Sequence, residues 1–144
     1  MMSRALLYGS LSAAAVAAWT LLELALGFHG PRAEIGRWTG FISIVFPIAA
    51  VVLALRSARQ ARSGLSWSAG MKEGASVSFV SSVLGAAFFW LYFTIINPNF
   101  RAGAVASDPA AEALTVLASG LALGLVVSAV AALILRSRSP TLAL

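Results

Sequence analysis

Four apolar stretches, each long enough to cross a bilayer, leave this chain little freedom in what it can fold into. They run Ala5–Phe28, Trp38–Leu55, Ala75–Ile96 and Leu114–Leu135 and hold 24, 18, 22 and 22 residues. Three contain no charged residue, and the first contains only Glu23. The hydrocarbon core of a bilayer is about 30 Å thick, a depth that about 20 helical residues cross. Backbone groups inside it find no water, so only helices or a closed barrel satisfy them. Barrel strands show about ten residues of alternating polarity, an alternation missing from segments such as Val126–Leu135. The chain is therefore expected to be all-α, a polytopic membrane protein with a bundle of four transmembrane helices. Only short connections remain, so residues 1–144 are read as one membrane domain. Its 10% content of charged residues is far below the roughly 25% of soluble domains.

The net charge of +5 reads as topology. Arg4, Arg56, Arg59, Arg62, Lys72, Arg136 and Arg138 share one side if both ends do. The other side has Arg32, Arg37 and Arg101, diluted by Glu34, Asp108 and Glu112. The positive-inside rule then places both termini in the cytoplasm. Nucleic-acid binding is the competing account of a basic chain and is not needed here. With no cysteine, disulfide and thiolate chemistry are excluded. The segment Ala15-Val16-Ala17 fits a signal-peptide cleavage site. Apolar character continues past it to Phe28, so an uncleaved span is expected.

Local signals place the ends of the spans. Gly27 and Pro31 stop the first. Pro47 lies in the middle of the second, and its missing amide predicts a kink near Ser43. It is either a packing bend or a hinge lining a pathway. Arg56, Arg59 and Arg62 fall on roughly one face of the continuing helix at headgroup height. With Lys72 they form a candidate contact for lipid headgroups or a partner, each charge contributing about 1 kcal/mol against an anionic leaflet. Gly64 breaks that helix, and Ser66 is a good N-cap for one beginning at Trp67. Asp108 as N-cap, Pro109 at the first helical position and Glu112 in the first turn start the last helix.

Lipid gives helices no hydrophobic reason to associate, so close backbone approach at small residues must hold a bundle together. Gly70, Gly74, Ser78, Ser82 (or Ser81) and Gly85 form one such stripe, and Gly120, Gly124, Ser128 and Ala132 another. Both are expected to face other helices, the second serving either the monomer or a homodimer. Glu23 is the only ionisable residue well inside a span. Its burial would cost about 2.5 kcal/mol or more at a helix centre, which makes it a functional suspect. Arg32, Arg37, Thr39, Ser43, Thr115 and Ser119 lie at suitable depth to partner it. The alternatives are a structural paired or snorkelling carboxylate and an ion- or proton-coupling group.

Catalysis has little support. The single histidine, His29, without cysteine gives no metal site. The serines of span three have no histidine or lysine at matching depth to activate them. No phosphate loop, dinucleotide fingerprint or nucleophile elbow occurs. No cofactor is expected.

Two segments carry a resemblance. Gly64-Leu65-Ser66-Trp67, continuing to Lys72 and Gly74, is similar to the glycine, aliphatic, Ser/Thr, aromatic opening of a bacterial family of small four-span membrane proteins. That family carries a domain of unknown function numbered 4199. Asn97-Pro98-Asn99-Phe100 resembles its Asn-Pro-acidic-Phe segment, with Asn99 in place of the acidic residue. The resemblance implies the architecture and a bacterial inner-membrane location, and no activity. The expected role is a structural or accessory component of a membrane assembly, with the bilayer and a membrane protein or second copy as partners. A small transporter or channel component using Glu23 and Pro47 is one alternative, and an anionic-lipid-interacting protein is another.

Overall fold

The computed structural model describes residues 3–62, 64–99 and 108–136. Four helical rods among them are long and apolar enough to span a membrane: Arg4–Ala25, Ala33–Ala61, Trp67–Ile96 and Pro109–Leu135. The first is α1 (Arg4–Ala25). The second is compound: α2 (Ala33–Thr39), a 3-10 stretch over Gly40–Ile44, then α3 (Val45–Ala61). The third is α4 (Trp67–Leu91), which widens into a π-helical turn over Tyr92–Ile96, and the fourth is α5 (Pro109–Leu135). The all-α, four-span architecture is the one the apolar pattern predicts.

Several ends follow from single side chains. Ser66 Oγ accepts from the Ala69 amide and starts α4 at Trp67. Ser3 Oγ does the same for Leu6 at the start of α1. Asp108 holds the extended N-cap conformation with Pro109 at the first helical position, yet its carboxylate bonds no amide there. Only its carbonyl takes up an N–H, from Glu112 at 3.1 Å.

Two boundaries differ from expectation. α1 ends at Ala25 and not at Phe28, because Gly27 turns left-handed at φ +76°. The second rod begins at Ala33 and not at Trp38, since Pro31 stops one helix without preventing another from starting two residues later. The disturbance expected from Pro47 takes the form of the 3-10 stretch. Proline offers no hydrogen to the carbonyl of residue 43, and the turn before it tightens to three-residue bonding.

α4 is the middle of the bundle, packing on α1, α3 and, most extensively, α5. α3 also touches α1 and α5. The two small-residue stripes meet each other. A Cβ built on Gly70 would lie 2.7 Å from that of Ala132, one on Gly74 2.7 Å from that of Ser128, and one on Gly120 2.6 Å from Ser82 Oγ. Gly124 sits equally tightly on Ser78. Each step of four residues up α4 is thus matched by four down α5, an antiparallel seam in which a missing side chain always faces a hydroxyl or methyl. Ser78 and Ser128 donate to the carbonyls of Gly74 and Gly124 in their own helices, so neither of these two hydroxyls is stranded in the seam.

α1 approaches α4 at Gly9, where a Cβ would stand 2.7 Å from that of Val80. Ser81 Oγ donates to Ser12 Oγ across the same contact at 2.8 Å. Near the arginine-bearing end the core closes around Ala54, Leu55, Ala58, Leu65, Val77 and Ala132. Outward, the surface is apolar: only 17% to 22% of the most apolar window of each rod is buried within the bundle. A helix that is oily all round and mostly uncovered has lipid as its remaining solvent.

Candidate functional site

The ionisable residue inside α1 is built into a cluster by the way that helix ends. The Gly27 amide bonds the Leu24 carbonyl at 3.0 Å, and the Phe28 amide bonds the Glu23 carbonyl at 2.9 Å. This is the paired bonding of a Schellman motif, which requires a left-handed residue at Gly27. The turn folds the chain back over the last turn of α1. His29, six residues after Glu23 and out of reach in a continuous helix, is thereby placed with Nε2 3.4 Å from Glu23 Oε2. Gly36 keeps the returning α2 close: a Cβ there would lie 3.0 Å from the Phe28 carbonyl carbon.

The other half comes from the end of α4. The Asn97 amide bonds the Tyr92 carbonyl at 2.7 Å, the five-residue closure of a π-turn. Asn97 is thus set above Tyr92, and its Nδ2 donates to Tyr92 Oη at 3.3 Å. That hydroxyl also bonds His29 Nδ1. The phenol ring is held by Phe88, Phe89 and Phe93, with centroids 6.0, 6.3 and 5.5 Å away. It meets the imidazole edge-on at 82°. Tyr92 is 0% exposed and Glu23 3%. π-turns recur at functional sites, and here the turn completes a polar line of the buried Glu23 and Tyr92 with the partly buried His29 and Asn97. Glu23 Oε1 finds no hydrogen-bond partner among the described residues.

The neighbours expected for Glu23 are placed elsewhere. Thr39, Ser43, Thr115 and Ser119 direct their hydroxyls to carbonyls of their own helical turns. Arg32 and Arg37 are exposed. The Thr39 carbonyl instead accepts from Trp19 Nε1 at 3.2 Å, tying α1 to the second rod. Pro47 is apart from Glu23. It lines a cavity of about 370 Å3 with Ser43, Ile44, Val116 and Ser119, and Glu23 is not part of that wall. The α4–α5 seam loosens beside it: at Gly85 the nearest foreign atom to a built Cβ is Val116 Cγ1 at 4.0 Å.

At the opposite end Arg56, Arg59 and Lys72 are exposed, and Arg62 pairs with Glu73 at 3.6 Å. Arg4 Nε reaches Ser57 Oγ at 3.4 Å. Trp67 is half exposed at the start of α4. Asn97 joins the polar line and Pro98 is exposed, while Phe100, Arg101 and Arg138 lie outside the described residues. Tyr92 and the pairing role of His29 are missed by sequence reasoning. The Gly27 turn signal was the available clue to His29.

The fold defines a multi-pass helical membrane protein, and this cluster lies at one end of its bundle. The chain belongs to the family described as "Protein of unknown function (DUF4199)", whose model matches residues 7–108, more than half of the chain and the whole polar line. No curated protein and no solved structure matches it.

Proposed function

We propose that this protein is a non-enzymatic component of a bacterial inner membrane, with both termini cytoplasmic, serving as a structural or accessory partner in a membrane assembly. The observation that carries the reading is the position of Glu23. It is turned into a clasp between the end of α1 and the end of α4, away from the cavity beside Pro47. The remaining described intramembrane hydroxyls bond mostly within their own helices. The few polar contacts that do cross between rods tie α1 to α4 and to the second rod, which supports a structural role.

The test is purification of the full chain from its native membrane in gentle detergent, with mass spectrometry of co-eluting proteins, repeated with Glu23→Gln. A stoichiometric membrane-protein partner retained by both forms is expected. A chain that elutes alone overturns the reading.

The cavity favours a second reading, a small transporter component in which Pro47, Ser43 and Ser119 border the path. In proteoliposomes that reading requires solute flux that a bulky substitution in the cavity wall, Ser119→Phe, abolishes.

A further inference from the structure

The cavity beside Pro47 is a wedge between the second rod and α5. At the arginine-bearing end α3 and α5 close into one core with Ala54, Leu55, Ala58, Ala131 and Ala132. Towards the other end the 3-10 stretch packs on α1, and a space of about 370 Å3 is left over α4. Its floor is covered: Val77, Ser78 and Ser82 are at most 6% exposed. Its rims face outward, since Ile44 on the second rod and Ser119 on α5 are both exposed. A space of this size falls within the range of small-molecule sites, about 300–1,000 Å3.

The wall favours hydrocarbon over water. Ser43, Ser78 and Ser119 give their hydroxyl hydrogens to the carbonyls of Gly40, Gly74 and Thr115 in their own rods. Ser81 gives its hydrogen to Ser12. Only Ser82 among the wall serines makes no such bond to the described residues. A buried water makes about three hydrogen bonds, and apolar cavities stay dry. What the exposed rims meet outside is acyl chain.

A charge stands above the opening. Arg37 on α2 is exposed and has no ion pair among the described residues. By the residues per turn of each stretch, Arg37 lies on the same side of the rod as Pro47, with Ile44 roughly 12 Å further along the axis. Between them Gly40 has nothing within 4 Å of a built Cβ, which leaves that part of the rod open.

We propose that the cavity is a lipid site, in which one acyl chain of a bilayer phospholipid lies between the second rod and α5 with its phosphate on Arg37. The guanidinium presents its N–H donors in the fork that phosphate accepts. The first half of the chain spans the interval from Arg37 to the rim, and the distal half lies against Ser82 and Gly85. Glu34 on α2 and Asp108 and Glu112 at the start of α5 share this end of the bundle, so a phospholipid without net charge suits it better than an anionic one. The bound chain fills the bundle where the α4–α5 seam loosens at Gly85. The site is independent of the accessory role and gives the cavity an occupant other than a transported solute.

The test is photo-crosslinking of the full chain in lipid nanodiscs. The probe is phosphatidylethanolamine with a diazirine in the distal half of one acyl chain, and cross-linked residues are mapped by mass spectrometry. Cross-links are expected at Val77 and Ser82, which lipid on the outer surface does not reach. Diacylglycerol with the same chain lacks the phosphate and is expected to label them about fivefold less, the effect of one cation at a headgroup. Arg37→Gln, a change at an exposed side chain, is expected to lower phospholipid labelling to the diacylglycerol level. Gly85→Leu fills the cavity and is expected to abolish floor labelling while outward Leu114 and Val126 stay labelled. Labelling confined to outward residues in the unaltered protein overturns the proposal, the result expected if water or a second copy fills the space. Equal floor labelling by the two probes overturns it as well, and so does a floor labelled as strongly after Arg37→Gln or Gly85→Leu. The comparison of the two probes needs no substitution, so it decides even where a variant does not fold.

Discussion

Gly120 on α5 faces Ser82 on α4 with no room between them for a single carbon: a Cβ on the glycine would lie 2.6 Å from the serine Oγ. The next contact along the seam, Gly124 on Ser78, is as close. Substituting Gly120 or Gly124 by Ala is expected to destabilise the bundle by about 1–3 kcal/mol, the usual result of overpacking. Gly40 has nothing within 4 Å of a built Cβ and sits at φ −56°, so Gly40→Ala is expected to be neutral or stabilising by up to about 1 kcal/mol. Equilibrium unfolding in mixed detergent micelles measures both. Equal destabilisation at Gly40 and Gly120 would mean the seam is not the tight contact.

Gly27 is the one described glycine with positive φ, and the Glu23–His29 pairing depends on that turn. Gly27→Ala is expected to cost about 1 kcal/mol from left-handed strain, and Gly27→Asn less, because asparagine tolerates that region. The same unfolding assay ranks the two variants. The expectation fails if alanine is tolerated better than asparagine.

Arg56 and Arg59 are exposed, and Arg62, its side chain half in solvent, pairs with the more covered Glu73. Replacing all three arginines by Gln is expected to remove the preference for anionic over neutral liposomes at about 1 kcal/mol per charge. Stability should change little, since exposed ion pairs contribute about 1 kcal/mol at most. Co-flotation with vesicles of both compositions reads the first, thermal unfolding the second. Unchanged flotation removes the lipid role of this face.

Orientation is tested at Gln60, exposed near the end of α3. The chain has no cysteine, so Gln60→Cys introduces a single thiol. It is expected to resist membrane-impermeant maleimide in intact cells and to label after permeabilisation. Labelling in intact cells would put the arginine end outside.

The rods, the Ser66 cap, the start of α5 after Asp108 and the inward facing of the two small-residue stripes were legible in the sequence, whereas the meeting of the two stripes with each other was not. Each legible feature is a local or periodic property: apolar length, an oxygen before a helix, a four-residue repeat. The partner of Glu23 was not. Depth alone pointed to Thr39, Ser43, Thr115 and Ser119, but a hydroxyl inside a helix can bond the carbonyl one turn back, and these did so. His29 is brought in by a change of helix hand at one glycine, and Asn97 by a turn one residue wider than normal. Neither displacement follows a period that apolar spacing could reveal. The 3-10 stretch before Pro47 falls between these cases: its location was readable from the proline, its geometry was not.

The matched four-residue stepping of α4 and α5 also limits how this molecule can move. Sliding one rod past the other by a single residue would drive side chains into positions that only glycine can occupy, so the pair behaves as a toothed plate. Gly9 brings α1 onto α4 as tightly as the seam itself, so the compound second rod, with its tightened turn before Pro47, is the part left outside this plate.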